Sequence, residues 1–317
     1  MEKPYVIGID MGGTNTAFGI VDKDGNIISR GSVKTATHDD IKLYINDLHD
    51  GLQPLIDSAG GIDNFRGIGI GAPNGNFYKG TIEFAPNLRW KGVIHLAGLV
   101  SEKFGLPALL TNDANAAAIG EMIYGHAKGE KDFIMITLGT GVGSGIVANG
   151  ELIYGHDGFA GEVGHTIFDP EGRTCGCGRK GCLETYTSAG GIVKTAHEML
   201  EKSNEPSLLR NMGKEEITAR TIGDAAQKGD TIALDVFDIT AKILALKLSD
   251  SVAHTSPSSI YIFGGVANAG DVLMKPLKKY FEEYLLEIFK NKINIRLSGL
   301  NASDAAVLGA AALILKD

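Results

Sequence analysis

Two stretches of the chain share one grammar: YVIGIDMGGTNTAFGIVDKDGNIISRG, from Tyr5, and FIMITLGTGVGSGIVANGELIYG, from Phe133. In each, an apolar strand ends at Asp10 or Leu138, a Gly-Thr turn follows, and a Gly-Ile-Val strand runs into an Asp24-Gly25 or Asn149-Gly150 hairpin turn. The Gly-Ile-Val segments start at residues 19 and 145, an offset of 126 residues. An internal repeat of this kind predicts two homologous halves, each built on a sheet that opens with an antiparallel hairpin, facing one another across a cleft.

The rest of the chain alternates strands and helices, the pattern of an α/β protein. Helices are expected near Asp39 to Ser58, His95 to Phe104, from Asp113, Ser188 to Lys202, Thr218 to Lys228 and Asp230 to Ala253. In the last of these, Val236, Ile239, Ile243 and Leu246 are expected to share a buried face. Strands are expected at Gly67 to Gly71, before Thr111, at SIYIFGG and at INIRLS. A chain of 317 residues exceeds what one core commonly serves, so two domains are expected, divided near Asp113 without a flexible tether.

The formal charge of −8 argues against a nucleic-acid surface as the main partner. The N-terminus lacks the basic and apolar regions of a secretory leader, and Ala305 to Leu315 is too short to span a bilayer. A cytoplasmic protein with reduced thiols is expected. The 43 glycines suit ligand loops better than long helices.

Several of those glycines sit where a phosphate could approach backbone N–H groups. After the first strand come Gly12, Gly13, Thr14 and Asn15, with the Asp10 carboxylate close by to hold Mg²⁺. The second copy supplies Gly139, Thr140 and Gly141, and a third turn, Gly264 and Gly265, would let an adenosine lie against the backbone. Each alone reads equally well as a plain turn after a strand. No GxxxxGK[ST] is present and no lysine lies in either Gly-Thr turn, which excludes a P-loop enzyme.

All three cysteines fall in GHTIFDPEGRTCGCGRKGCLET. Three is odd, and Cys175 and Cys177 are too close to pair, so a closed structural zinc site of His165, Cys175, Cys177 and Cys182 fits better than a disulfide. Such an ion would fix a loop that brings Glu162, His165 and Glu184 together, and carboxylates suit the vicinal hydroxyls of a sugar. Asp113, between a strand and a helix in TNDANAAAIGE, reads either as a helix N-cap or as a base for an attacking hydroxyl.

DMGGTNT, TNDANAAA, LGTGVGSG, GEVGHT and CGCGRKGCLET together, in this order, resemble the ROK family of repressors, open reading frames and sugar kinases, over essentially the whole chain. The resemblance implies the actin-like, hexokinase-type fold, with residues 1–112 and 303–317 forming a smaller domain and 113–302 a larger one. It implies an ATP-dependent kinase that forms glucose 6-phosphate from glucose, with Asp113 as general base. Asn87, Asn112, Asp113, Glu162, His165 and Glu184 would face the sugar, while Asp10, Gly12, Gly13, Thr14, Asn15, Gly139, Thr140, Gly141, Gly264 and Gly265 would face ATP and Mg²⁺. His165, Cys175, Cys177 and Cys182 match the family zinc set, and a homodimer is implied. Where many relatives have Pro-Gly, this chain reads Pro73-Asn74-Gly75. Family repressors carry a helix-turn-helix before the first strand, which is not expected here. Kinases for fructose, allose, N-acylmannosamine or N-acetylglucosamine share the motifs, polyphosphate could serve as donor, and a non-catalytic sugar sensor or a sugar-free actin-like ATPase are the rival classes.

Overall fold

The computed structural model describes residues 3–301 and 304–315. The first half holds strands β1 (Tyr5–Met11), β2 (Asn15–Asp22), β3 (Ile27–Lys34), β4 (Phe65–Ala72), β5 (Gly75–Asn76), β6 (Thr81–Glu83), β7 (Val93–Ile94) and β8 (Ala108–Asn112). Helix α1 (Ile41–Ser58) precedes β4 and α2 (Leu96–Phe104) precedes β8. Helix α3 (Asp113–Tyr124) leads to β9 (Phe133–Leu138), β10 (Val142–Ala148) and β11 (Glu151–Leu152). Then come α4 (Glu184–Thr187), α5 (Ala189–Lys202), α6 (Ala219–Gln227), α7 (Thr231–Thr255), β12 (Ser259–Phe263), α8 (Asp271–Tyr284), β13 (Asn294–Leu297) and α9 (Ala305–Leu315).

The repeat read from the sequence is a structural duplication. The two main sheets run β3-β2-β1-β4-β8 and β11-β10-β9-β12-β13, the same order strand for strand, with β5, β6 and β7 forming a small separate sheet. In both, the opening hairpin is antiparallel and the strands beyond it are parallel. The second hairpin turns on Asn149 and Gly150, at φ 54° and 80°, the left-handed pair that a tight two-residue hairpin demands.

Alternation along β1 decides what each side of the first sheet meets. Ile7, Ile9 and Met11 pack with Tyr44, Leu48 and Leu52 of α1 and Val100 and Phe104 of α2. The opposite side meets α9, where Val6 and Val21 pack with Val307 and Ala311. Helix α3 lies against α9 at Gly120 and Gly309, and against β10, where Ala114 and Ala118 abut Gly143 and Gly145. These two helices therefore form the layer between the sheets. The far side of the second sheet, Ile134, Ile136, Ile260 and Ile262, is covered by the core of α5 to α8.

One expectation fails on α7. Val236 and Ile243 are buried, but Ile239 and Leu246 are 37% and 36% exposed. The helix contacts α5, α6 and α8, and its buried side is centred on Phe237, Ala241, Leu244 and Leu248. The stripe read from the sequence runs along the margin of that side. The expected domain boundary at residue 303 lies outside the described residues. No helix among the described residues is long and apolar enough to cross a membrane.

Candidate active site

Three parallel strands deliver the first group of residues to one edge. Asp10 of β1 pairs in register with Gly71 of β4, and Gly71 with Thr111 of β8, so all three stand at the carboxyl ends of their strands, where open α/β sheets bind ligands. Asn112 and Asp113 come next. Asn112, not Asp113, is the N-cap of α3, its side-chain oxygen accepting from the N–H groups of Ala114 and Asn115 at 2.8 and 3.3 Å. Asp113 Oδ1 accepts from Ala114 N–H at 2.8 Å.

Solvent reaches Asp113, yet protein crowds it, as at the floor of an open cleft. Burial pushes its carboxyl above the usual carboxylate range. Asp10 is pushed up to about 6, first by burial and then by the charge of Asp113. The two carboxyls are neighbours, and Gly71 lies against both of their residues.

The first glycine turn closes with Gly12 N–H donating to Asn15 O at 3.0 Å. Thr14 and Asn15 are exposed, and the Asn15 side chain accepts from Lys34 Nζ at 2.8 Å. At Gly13 a side chain would strike the carbonyl and Cβ of Asn87 at 2.8 and 3.2 Å, so the absence of one lets the Asn87 loop close on the turn.

The second turn occupies the equivalent strand end. Gly139 N–H donates to Gly141 O at 3.0 Å, and Gly139 O accepts from Ala189 N–H at 2.9 Å. Gly264, at φ 105°, abuts the backbone of Leu138, and Gly265 opens a short 3-10 helix to Ala269. Phe263 of β12 pairs with Thr137 of β9, so the Gly264-Gly265 turn and the Gly139–Gly141 turn are side by side.

The cysteine segment joins these parts. The ligand atoms of His165, Cys175, Cys177 and Cys182 all lie within 4.8 Å of one another. His165 Nδ1 is 3.7 Å from Cys175 Sγ, and Cys177 Sγ is 3.6 Å from Cys182 Sγ. Zinc–sulfur bonds of about 2.3 Å at tetrahedral angles require edges of roughly 3.7 Å, so the four side chains are spaced for that ion. Burial pushes Cys177 up, but hydrogen bonds from Arg179 and the neighbouring thiols outweigh it and bring it down to about 6, which favours the thiolate a metal needs.

Glu184, two residues past Cys182, directs one carboxylate oxygen to Val142 N–H at 2.9 Å and the other to 3.9 Å from Cys175 Sγ. Gly141 lies so close to that carboxylate that a side chain there would collide with it. Glu162 is raised by burial, lowered by His165, and raised further by the charges of Asp113 and Glu184. His165, Asp113 and Glu184 therefore all stand within electrostatic reach of Glu162, and Asp113 links this group to Asp10.

Sequence reasoning missed a second tie between the halves. The Tyr154 ring stacks on Phe77 with centroids 4.2 Å apart, and its hydroxyl lies near Thr111, one residue before Asn112. Asn76 Nδ2 donates to Asp157 O at 2.7 Å alongside. Asn74, the residue between Pro73 and Gly75, adopts φ 51° and exchanges hydrogen bonds with Glu83, which shapes this hairpin.

Two sheets of identical strand order, with glycine turns at equivalent strand ends and carboxylates at the crevice, define the actin-like, hexokinase-type class of fold. The ROK family model matches residues 6–317, and the chain belongs to the ROK family. It is 36% identical to a protein named glucokinase from Halalkalibacterium halodurans, over 99% of this chain and 96% of that one. Among solved structures, a ROK family glucokinase from Streptomyces griseus in complex with glucose and AMPPNP superposes with a TM-score of 0.82 at 33% identity, covering 99% of this chain and 100% of the other. A ROK family transcriptional regulator, described as a homolog of E. coli MLC, superposes with a TM-score of 0.88 at 26% identity, covering 98% of this chain and 78% of the other.

Proposed function

We propose that the protein is an ATP-dependent sugar kinase that transfers the γ-phosphoryl group to O6 of glucose. The observation that carries this reading is that Glu162 of the second half stands within electrostatic reach of His165, Glu184 and Asp113, and Asp113 lies beside Asp10 at the edge of the first sheet that ends in the first glycine turn. Glucose and an ATP analogue occupy the Streptomyces griseus glucokinase, and the Halalkalibacterium halodurans relative bears the same name.

Asp113 takes the proton of the sugar hydroxyl as it attacks. Its raised pKa makes it a stronger base than an exposed carboxylate, and the N-cap role is already filled by Asn112. Asn87, Asn112, Glu162, His165 and Glu184 hold the sugar hydroxyls. The Gly12 to Asn15 and Gly139 to Gly141 turns meet the phosphates, the N–H groups of Gly12 and Gly139 being used to close the turns themselves, and Gly264-Gly265 meets the adenosine. The Asp10 and Asp113 carboxylates lie together, which fits a divalent cation held by Asp10. Mg²⁺ bound there supplies positive charge to the phosphoryl oxygens. Zinc on His165, Cys175, Cys177 and Cys182 fixes the wall that carries Glu184. Residues 1–112 with 303–317 form one domain and 113–302 the other, and their closure excludes water from the transfer. The enzyme acts in the cytoplasm as a homodimer.

A sugar-sensing regulator is the second reading, favoured by the superposition on the MLC homolog. An ADP-release assay with Mg-ATP against glucose, fructose, mannose, allose, N-acetylglucosamine and N-acetylmannosamine separates the two. Turnover of glucose far above the rest supports the proposal. Sugar binding without turnover of any of them supports the regulator.

A further inference from the structure

Neither glycine turn contains a lysine or arginine, although a triphosphate would bring several negative charges to them. The fold brings a cation from elsewhere. Lys34, at the end of β3, is the cross-strand partner of Asn15 and donates from Nζ to its side-chain oxygen at 2.8 Å.

Strand alternation fixes which side Lys34 takes. Ala17 of β2 packs with α9 and α3 lies against α9, so this side of the first sheet faces the layer between the sheets. Asn15 shares the side of Ala17, and its partner Lys34 shares it too. Asp10 pairs with Ala17, which puts the Asn15–Lys34 pair one step further along the same side, at the cleft end. The strand end is pinned: Thr35 N–H donates to Thr14 O at 2.9 Å, and the Thr35 hydroxyl meets Thr16 Oγ1 at 2.9 Å, which in turn meets the Tyr44 hydroxyl at 2.7 Å. Arg30, on the same side of β3, is paired with Asp304 at 2.7 Å, whereas Lys34 is held by a neutral amide and exposed.

We propose that Lys34 is the cation of the phosphate-donor subsite, held at the first glycine turn by Asn15 and turned onto the outer phosphates when the donor binds. The inference rests on the kinase reading. A lysine ammonium on a flexible stem suits this, since it needs only to approach the phosphate oxygens as a point charge.

The test compares the intact protein with Lys34→Gln and Lys34→Arg. Tripolyphosphate and adenosine binding are measured calorimetrically, and KM is measured for Mg-ATP and for sugar. We expect Lys34→Gln to weaken tripolyphosphate binding and raise KM for Mg-ATP about 10-fold, as loss of one close charge pair would, with adenosine affinity and sugar KM unchanged. Lys34→Arg should stay within about threefold of the parent because the charge is kept. Unchanged tripolyphosphate binding in Lys34→Gln, or an equal loss of sugar and donor affinity, overturns the inference. Absence of turnover in the parent protein sinks the kinase reading instead, and the tripolyphosphate measurement still decides Lys34.

Discussion

The carboxylate of Glu184 accepts the backbone N–H of Val142 at 2.9 Å while its other oxygen lies 3.9 Å from Cys175 Sγ. One side chain thus connects the cysteine cluster to the strand that leaves the second glycine turn. Glu184→Ala should therefore harm both substrates, lowering kcat/KM for sugar and for Mg-ATP by about 10–100-fold, the range for losing a charge-assisted hydrogen bond. Glu184→Gln keeps an acceptor for Val142 and should lose less on the ATP side. Steady-state kinetics with each substrate varied in turn check this.

Zinc content is a direct test of the cluster. Purified protein should contain about one zinc per chain, and a strong chelator should lower its Tm and then its activity as the loop carrying Glu184 loosens. Less than a few tenths of an ion per chain with full activity would remove the metal from the account.

Asp10 makes stability depend on pH. Its folded pKa of about 6 lies above the ordinary 3.8, so the folded state binds this proton more tightly than the unfolded chain. The associated stability is complete below pH 3.8 and is lost as pH rises through about 6. In metal-free buffer, Asp10→Asn should flatten that fall and be more stable at pH 7.5 by up to about 3 kcal/mol, while losing activity. Chemical denaturation at a series of pH values measures the difference.

Glu121 is fully buried at the far end of α3 and accepts from His126 N–H at 2.8 Å, Gly299 N–H at 2.9 Å and the Ser298 hydroxyl. It fastens α3 to the segment leading into α9. Glu121→Ala would strand those donors and should cost roughly 3–5 kcal/mol of stability, read from the denaturation midpoint.

Local patterns carried most of the fold. The duplicated hairpins were legible because strand alternation and Asp-Gly or Asn-Gly turns act over a few residues. The Cys175, Cys177 and Cys182 spacing likewise brought a metal set into view, and His165 joins it in space. Where the sequence misled, the deciding partners were distant. Ile239 and Leu246 look like core on an α7 seen alone, and only the seating of α5, α6 and α8 turns them outward. Lys34 is 19 residues from Asn15 and meets it only through strand pairing, and the Tyr154 contact with Phe77 spans the two halves of the chain. Asp113 reads from the sequence either as N-cap or as base; the N-cap of α3 is Asn112, one residue earlier, while Asp113 Oδ1 also accepts from Ala114 N–H at 2.8 Å.

The most direct test of the central claim is Asp113→Asn, with kcat for glucose phosphorylation and the equilibrium affinity for glucose measured on the same preparation. The kcat should fall by about 10²–10⁴-fold, the range for losing a general base, with glucose affinity largely kept. An unchanged kcat would contradict that claim.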